Sequence, residues 1–175
     1  MEVAAELRKP AARQWVSVMG ETTALLGAIL AVMHPTTFET GTRCISKIRQ
    51  SEKVAKRENL EELLQDWTAP YTTVSLMSNR DTPLHRDVGG SYSVMDMLVS
   101  VGRYDKGVFT VPGLGCQFWY CSGTVIGLHG RVVQHGASSV GDRLCFAQYL
   151  RENVLGTLGI SDPQWVNIRD LETMC

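Results

Sequence analysis

The segment NRDTPLHRDVGG, residues 79–90, is where the sequence first offers chemistry. His85 and Asp87 stand two apart, so on an extended backbone both side chains leave the same face. A neutral imidazole beside a carboxylate supplies two ligands of a 2-His-1-carboxylate site, which leaves open positions on Fe(II) for a co-substrate and O2. His135, in RVVQHGASS, follows Asp87 by 48 residues and closes a predicted strand. It is the expected third ligand if a closed sheet brings it alongside. An HxD pair alone arises by chance in many proteins, and a histidine at a strand end is more often a hydrogen-bonded structural residue. Arg143 adds weight: it comes eight residues after His135 and opens RLCFAQY. Alternation places Arg143, Cys145, Ala147 and Tyr149 on one face, so the guanidinium has small neighbours and room for a two-pronged grip on the far carboxylate of 2-oxoglutarate. The competing reading is a salt bridge at a barrel mouth, to Asp142 or Asp81. The HxD pair and the downstream histidine favour the ligand role.

Side chains arranged like this need strands to hold them, and the chain changes character near residue 70. Before it, residues 21–33 form an apolar helix that Thr22 or Thr23 could cap and that stops before His34-Pro35. Its apolar residues lie on almost every face, as suits a helix between two layers. Residues 51–67 form a second helix with Ser51 as N-cap and a stripe of Val54, Leu60, Leu63, Leu64 and Trp67. After residue 70 the spacing predicts strands at 72–77, 93–101, 108–111, 116–120, 124–128, 131–135 and 143–149. Turns are expected at 89–90, 105–107, 112–113, 122–123, 130 and 141–142. Helices first and close-spaced strands after give an α+β chain, a barrel or sandwich with buttressing helices. The whole is one domain over 1–175: helical support over 1–70, strand core over 71–155 and a C-terminal segment over 156–175.

A chain of 175 residues supports one domain with a real core. With 44% hydrophobic and 20% charged residues it is unlike a disordered chain, and a net charge of −1 gives no global positive field. The five cysteines, Cys44, Cys116, Cys121, Cys145 and Cys175, form no CxxC pair. Together with an N-terminus lacking an apolar signal region, they favour reduced thiols and an intracellular setting. Cys116, Cys121 and Cys145 are read as buried thiols, Trp119 and Tyr120 as core, His129 as structural and His34 as a helix-end residue.

The order HxD, strands, histidine, then arginine on the next strand resembles the double-stranded β-helix dioxygenases. Within them, HRD and the run SGTVIGLHGRVVQHGASSVGDRLCFAQYLRENV are similar to the TET and J-binding-protein branch, and more narrowly to TET-like proteins of basidiomycete fungi. The resemblance covers roughly residues 70–155. It implies a double-stranded β-helix core, Fe(II) held by His85, Asp87 and His135, and 2-oxoglutarate held by Arg143. It also implies oxidation of 5-methylcytosine in DNA to 5-hydroxymethylcytosine, with further oxidation steps open, and hence a nuclear location. Two departures bear on the base. Animal TET proteins carry a cysteine-rich zinc-bearing region ahead of the barrel, absent from this sequence. They also carry an asparagine after HRD, where this sequence reads Val88-Gly89-Gly90.

A base within a duplex must be flipped to reach such a pocket, and flipping needs phosphate contacts. Residues 43–57 carry Arg43, Lys47, Arg49, Lys53, Lys56 and Arg57 against Glu52 alone, so a DNA-facing patch including Arg43 and Lys47 competes with a solvated helix face. Asn79 and Asp81 could touch the base, though turn chemistry explains them as readily. Other readings stand beside these: N6-methyladenine or another N-methyl base, a protein or small-molecule substrate, and a catalytically idle barrel that only binds DNA or protein.

Overall fold

The computed structural model describes residue 7, residues 9–51 and residues 58–165. The chain divides into two compact units, residues 73–153 and the remainder on either side.

The first unit is helical. Helix α1 spans Pro10–Val18, α2 Gly20–Met33, α3 Pro35–Arg49 and α4 Glu58–Asp66. Helix α2 lies where its apolar run predicts, but it opens at Gly20 with no side-chain cap. The Thr23 hydroxyl donates back to the Met19 carbonyl at 3.0 Å instead. Leu26 and Leu30 are buried while Leu25 and Val32 are exposed, so only part of its apolar surface is covered. Of the second expected helix, α4 is the described part. Residues 52–57, and with them Val54, lie outside the described residues, while Leu60, Leu63, Leu64 and Trp67 are buried as the stripe requires.

Helix α3 was hidden in the sequence because PTTFETGTRCISKIR is rich in β-branched residues and has Gly41 at its centre, all weak helix formers. Tertiary contact overrides propensity here. His34 caps α3, its Nδ1 accepting from the Thr37 amide at 3.2 Å, and Pro35 takes the first turn. A side chain at Gly41 would place its Cβ 1.7 Å from the Pro70 carbonyl oxygen, so glycine lets that segment cross the helix. The Arg49 guanidinium donates to the carbonyls of Leu64 and Trp67 at 2.8 and 3.1 Å, tying the end of α4 to α3.

The second unit is the strand core: β1 Thr73–Ser78, β2 Thr82–His85, β3 Asp96–Val111, β4 Cys116–Trp119, β5 Val125–Leu128 and β6 His135–Tyr149. Helix α5, Glu152–Leu158, follows β6 and was not expected. The long strands β3 and β6 pair antiparallel from Met97↔Gln148 to Thr110↔Gly136. Each carries a different short neighbour at each end. One end forms a four-stranded half in the order β1, β6, β3, β5, and the other a four-stranded half in the order β2, β6, β3, β4. Two antiparallel halves sharing their central strands make a double-stranded β-helix.

Three sequence expectations need correction. Residues 105–107 are not a turn: the register shifts between Asp105 and Val108, and Lys106 takes φ 50°, so this is a bulge inside β3. The extra residue reverses the alternation, which lets Asp96 and Leu98 on one side of it and Phe109 on the other face the same cavity. Residues 141–142 likewise lie inside β6, where Gly141 absorbs a φ of 119° without ending the strand. Residues 130–133 are a turn and not a strand, so His135 opens β6 instead of closing an earlier one.

Candidate metal centre and adjoining pocket

Strand β2 ends at His85, which lies opposite His135 at the start of β6, and Asp87 follows two residues beyond the strand. The pairing brings the two rings to 4.4 Å between centroids. His85 Nε2 lies 3.3 Å from one Asp87 carboxylate oxygen, and His135 Nε2 lies 3.8 Å from the other. One ligand atom from each of the three residues lies within 4.8 Å of the others. The donor chemistry fits a metal closely. His85 Nδ1 donates to the Pro83 carbonyl at 2.9 Å, and His135 Nδ1 donates to the Val133 carbonyl at 3.0 Å. Each ring therefore spends its proton on the backbone two residues earlier and turns an Nε2 lone pair inward, as metal-binding histidines do. Burial pushes the His135 pKa below its ordinary value and His85 adds to that, while the Val133 carbonyl and Asp87 oppose it. A neutral imidazole is the form that binds a cation.

Asp87 is held from two sides. Its amide donates to the Gly130 carbonyl at 3.0 Å. A Cβ on Gly130 would come 2.0 Å from Asp87 Oδ2 and 2.9 Å from Asp96 Oδ2, so the missing side chain makes the space for both carboxyls. Asp96 escaped the sequence reading. It is buried at the head of β3, and burial first, then the Asp87 charge, push its pKa up to about 8, opposed by a hydrogen bond from the Gly130 amide. A charged residue inside the apolar run VMDMLVSV was the available signal.

Arg143 is 4% exposed. Its Nε donates to the Ser100 hydroxyl at 2.8 Å, one terminal nitrogen donates to the Arg80 carbonyl at 3.3 Å, and the guanidinium carbon sits 4.7 Å from the Tyr120 ring centre. Among the described residues no carboxylate pairs with it. The salt-bridge alternative is not what the structure has: Asp81 accepts from the Ser139 amide at 3.1 Å, and Asp142 accepts from the Asn79 side-chain amide at 3.3 Å. Asn79 also accepts from the Arg143 amide at 2.7 Å. Asn79 and Asp81 thus do turn work that fixes β6 and the strand position of Arg143.

Both groups line one cavity of about 610 Å³. Arg143, Cys145, Ala147 and Tyr149 all face it, as alternation along β6 predicts. Tyr120 closes the Arg143 end, fully buried, with its hydroxyl 3.6 Å from Cys145 Sγ; burial raises its pKa. At the rim Arg151 donates to the Tyr149 hydroxyl at 3.3 Å, and Gly90 pairs with Arg151.

The remaining sequence expectations divide. His129 is structural, its Nδ1 donating to the Val94 carbonyl at 3.0 Å. Trp119 is 77% exposed and not core. Cys145 is buried, but Cys116 is half-buried and Cys121 exposed; all four described cysteines are free thiols, and Cys175 lies outside the described residues. Arg43 and Lys47 are exposed on α3 in the helical unit, the Lys47 ammonium donating to the Leu158 carbonyl at 3.0 Å. Lys53, Lys56, Arg57 and Glu52 lie outside the described residues.

The family model described as the oxygenase domain of the 2OGFeDO superfamily, Tet_JBP, matches residues 4–152. No curated protein matches the chain in sequence. Among solved structures, NgTET1 in complex with 5mC DNA is similar at 12% identity with a TM-score of 0.59. The likeness covers 98% of this chain and 62% of that one, so the chain spans less than two thirds of its structural relative.

Proposed function

We propose a methylated base in DNA as the substrate of this chain, which belongs to the TET/JBP oxygenase family and is a 2-oxoglutarate- and Fe(II)-dependent dioxygenase. The reaction put forward is oxidation of 5-methylcytosine to 5-hydroxymethylcytosine. The observation that carries it is the size and lining of the pocket. About 610 Å³ lies in the range of pockets that enclose a drug-sized ligand, roughly 300–1,000 Å³. A five-carbon diacid fills only part of such a space, and the remainder, running from the triad to the rim, suits a flat base. NgTET1, a protein of similar fold, is described in complex with 5mC DNA, which supports the same class of substrate here.

Each residue then has a task. His85, Asp87 and His135 would hold Fe(II), and Arg143 with its Ser100 and Tyr120 neighbours would receive the far carboxylate of 2-oxoglutarate. Bound iron and 2-oxoglutarate supply the oxidation: O2 and 2-oxoglutarate are consumed, succinate and CO2 leave, and one oxygen atom enters a methyl C–H bond. The chain orients the reacting groups, keeps the imidazoles in the ligating tautomer and excludes water behind Phe109 and Tyr120. The target nucleotide is flipped out of the duplex to reach the site. Arg43 and Lys47 are proposed phosphate contacts, and the proposed DNA substrate supports a nuclear location, which is likewise part of the proposal.

Nucleoside mass spectrometry after incubation with 5-methylcytosine DNA, Fe(II), 2-oxoglutarate and ascorbate tests the reading. Oxidised cytosine that a His85→Ala/Asp87→Ala protein does not make is the expected result. Loss of N6-methyl from a parallel adenine substrate, with cytosine untouched, would move the substrate to the other base.

A further inference from the structure

From the loop beside the metal triad we infer that Val88 is a wedge, entering the base stack of duplex DNA as the target nucleotide leaves it; this rests on the DNA reading above. Val88 is 98% exposed, the most exposed of the large hydrophobic side chains among the described residues, yet it belongs to the pocket lining and follows Asp87 directly. Single exposed aliphatics need no explanation on an ordinary surface. This one differs because the backbone is fastened on both sides of it. Before Val88, the Asp87 amide donates to the Gly130 carbonyl at 3.0 Å, and Arg86 Nε donates to the Val132 carbonyl at 3.0 Å. After it, the Gly89 carbonyl accepts from the Glu152 amide at 3.4 Å, and Gly90 pairs with Arg151. Gly89 takes a φ of 88°, which makes the tight turn that presents Val88 at its tip. A β-branched side chain has few rotamers, so the projection is stiff as well as apolar.

The surroundings favour a polyanion over a greasy partner. Arg86 lies two residues before Val88, and Arg151 is paired to Gly90 two residues after it; both are exposed. Arg131 rests over the exposed Tyr92 ring, 4.6 Å from its centre, with Glu152 the carboxylate nearby. Three arginines on or next to the segments that fasten this loop, beside a base-sized pocket, fit phosphates on either side of a displaced nucleotide. Wedging an aliphatic side chain between base steps is a known way to meet the cost of unstacking.

The test uses the full chain, a methylated duplex with 2-aminopurine beside the target, and the same strand without its complement. Two readouts run in parallel: the fluorescence rise on binding, which reports unstacking, and oxidised nucleoside. Val88→Ser is expected to suppress the rise and lower duplex turnover roughly tenfold or more, the scale of one aliphatic burial. Single-strand turnover should fall clearly less than duplex turnover, and Val88→Leu should restore the duplex. Equal losses on duplex and single strand, or a full fluorescence rise with Val88→Ser, would overturn the wedge. A rise that depends on Val88 without any oxidised base would uphold the wedge and sink the proposed reaction instead.

Discussion

At one end of the pocket His85, Asp87 and His135 turn lone pairs toward one another; at the other, Arg143 holds a buried positive charge that no carboxylate among the described residues meets. The first end is short of a cation and the second short of an anion. A protein does not ordinarily leave a buried charge unpaired, because removing it from water costs several kcal/mol. Here the two shortfalls match Fe(II) and a dicarboxylate. The ends also differ in how they are built. The metal end depends on backbone carbonyls that fix ring tautomers and on a glycine that makes space. The Arg143 end depends on neutral side chains, Ser100 and Tyr120, that hold the guanidinium in place without neutralising it.

If that contrast is right, the largest effect comes from removing the charge at the anion-seeking end. Arg143→Gln keeps some hydrogen bonding but loses the charge, and truncating a buried charged pair costs about 2–5 kcal/mol, or ~30-fold and upward in affinity. The KM for 2-oxoglutarate should rise by that factor while Fe(II) affinity, measured by metal titration, stays within about twofold. A matching fall in Fe(II) affinity would mean that the two ends are not separable. Arg143→Lys should recover only part of the loss, since an ammonium cannot present a planar fork.

The complementary change strikes the metal end without touching a ligand. Gly130→Ala places a methyl group 2.0 Å from Asp87 Oδ2, so the carboxylate must swing away. Losing the support of a metal ligand typically costs 10–100-fold in affinity. Fe(II) binding should weaken by roughly that amount, and 2-oxoglutarate binding should suffer only through the metal. Unaltered Fe(II) affinity would show that Asp87 is not positioned by this turn.

The two ends were unequally legible in the sequence. His85, Asp87 and Arg143 could be found because a strand repeats every second residue, and ligand chemistry restricts which residue types are worth considering. The strand alternation that put Arg143 beside Cys145 and Ala147 held, because β6 has no bulge along that stretch. The same logic failed on β3, where Asp105-Lys106-Gly107 has the composition of a turn but folds as a bulge, and a bulge reverses the alternation. Asp96 is passed over although it interrupts an apolar run, and Gly130 reads only as a turn, because their roles at the site exist only after the chain has closed on itself. Helix α3 was lost to local propensity, since the contact that admits Gly41 comes from Pro70, far along the chain. Val88 stands out in the sequence only as part of the Val88-Gly89-Gly90 departure, because its exposure is a property of the fastened loop.

Asp96 offers the smallest and most specific test of the metal end. Its folded pKa of about 8 lies above the unfolded value of roughly 3.9, so the folded protein keeps a proton that the unfolded chain releases. Stability from this group is therefore fully present below about pH 4 and is lost as pH rises toward 8. In metal-free protein the slope from this group is at most ~1.4 kcal/mol per pH unit, or about 3–5 °C in Tm for a chain of this size. Asp96→Asn should remove that slope between pH 6 and 8. Loading with Fe(II) should reduce it in the native chain, because a bound cation beside Asp87 offsets the carboxylate repulsion that helps raise Asp96. Melting curves of the two proteins at three pH values, with and without metal, measure both effects. If Fe(II) leaves the native slope unchanged, Asp96 does not sense the metal, and the picture of one shared cation-seeking end gives way to two independent carboxyls.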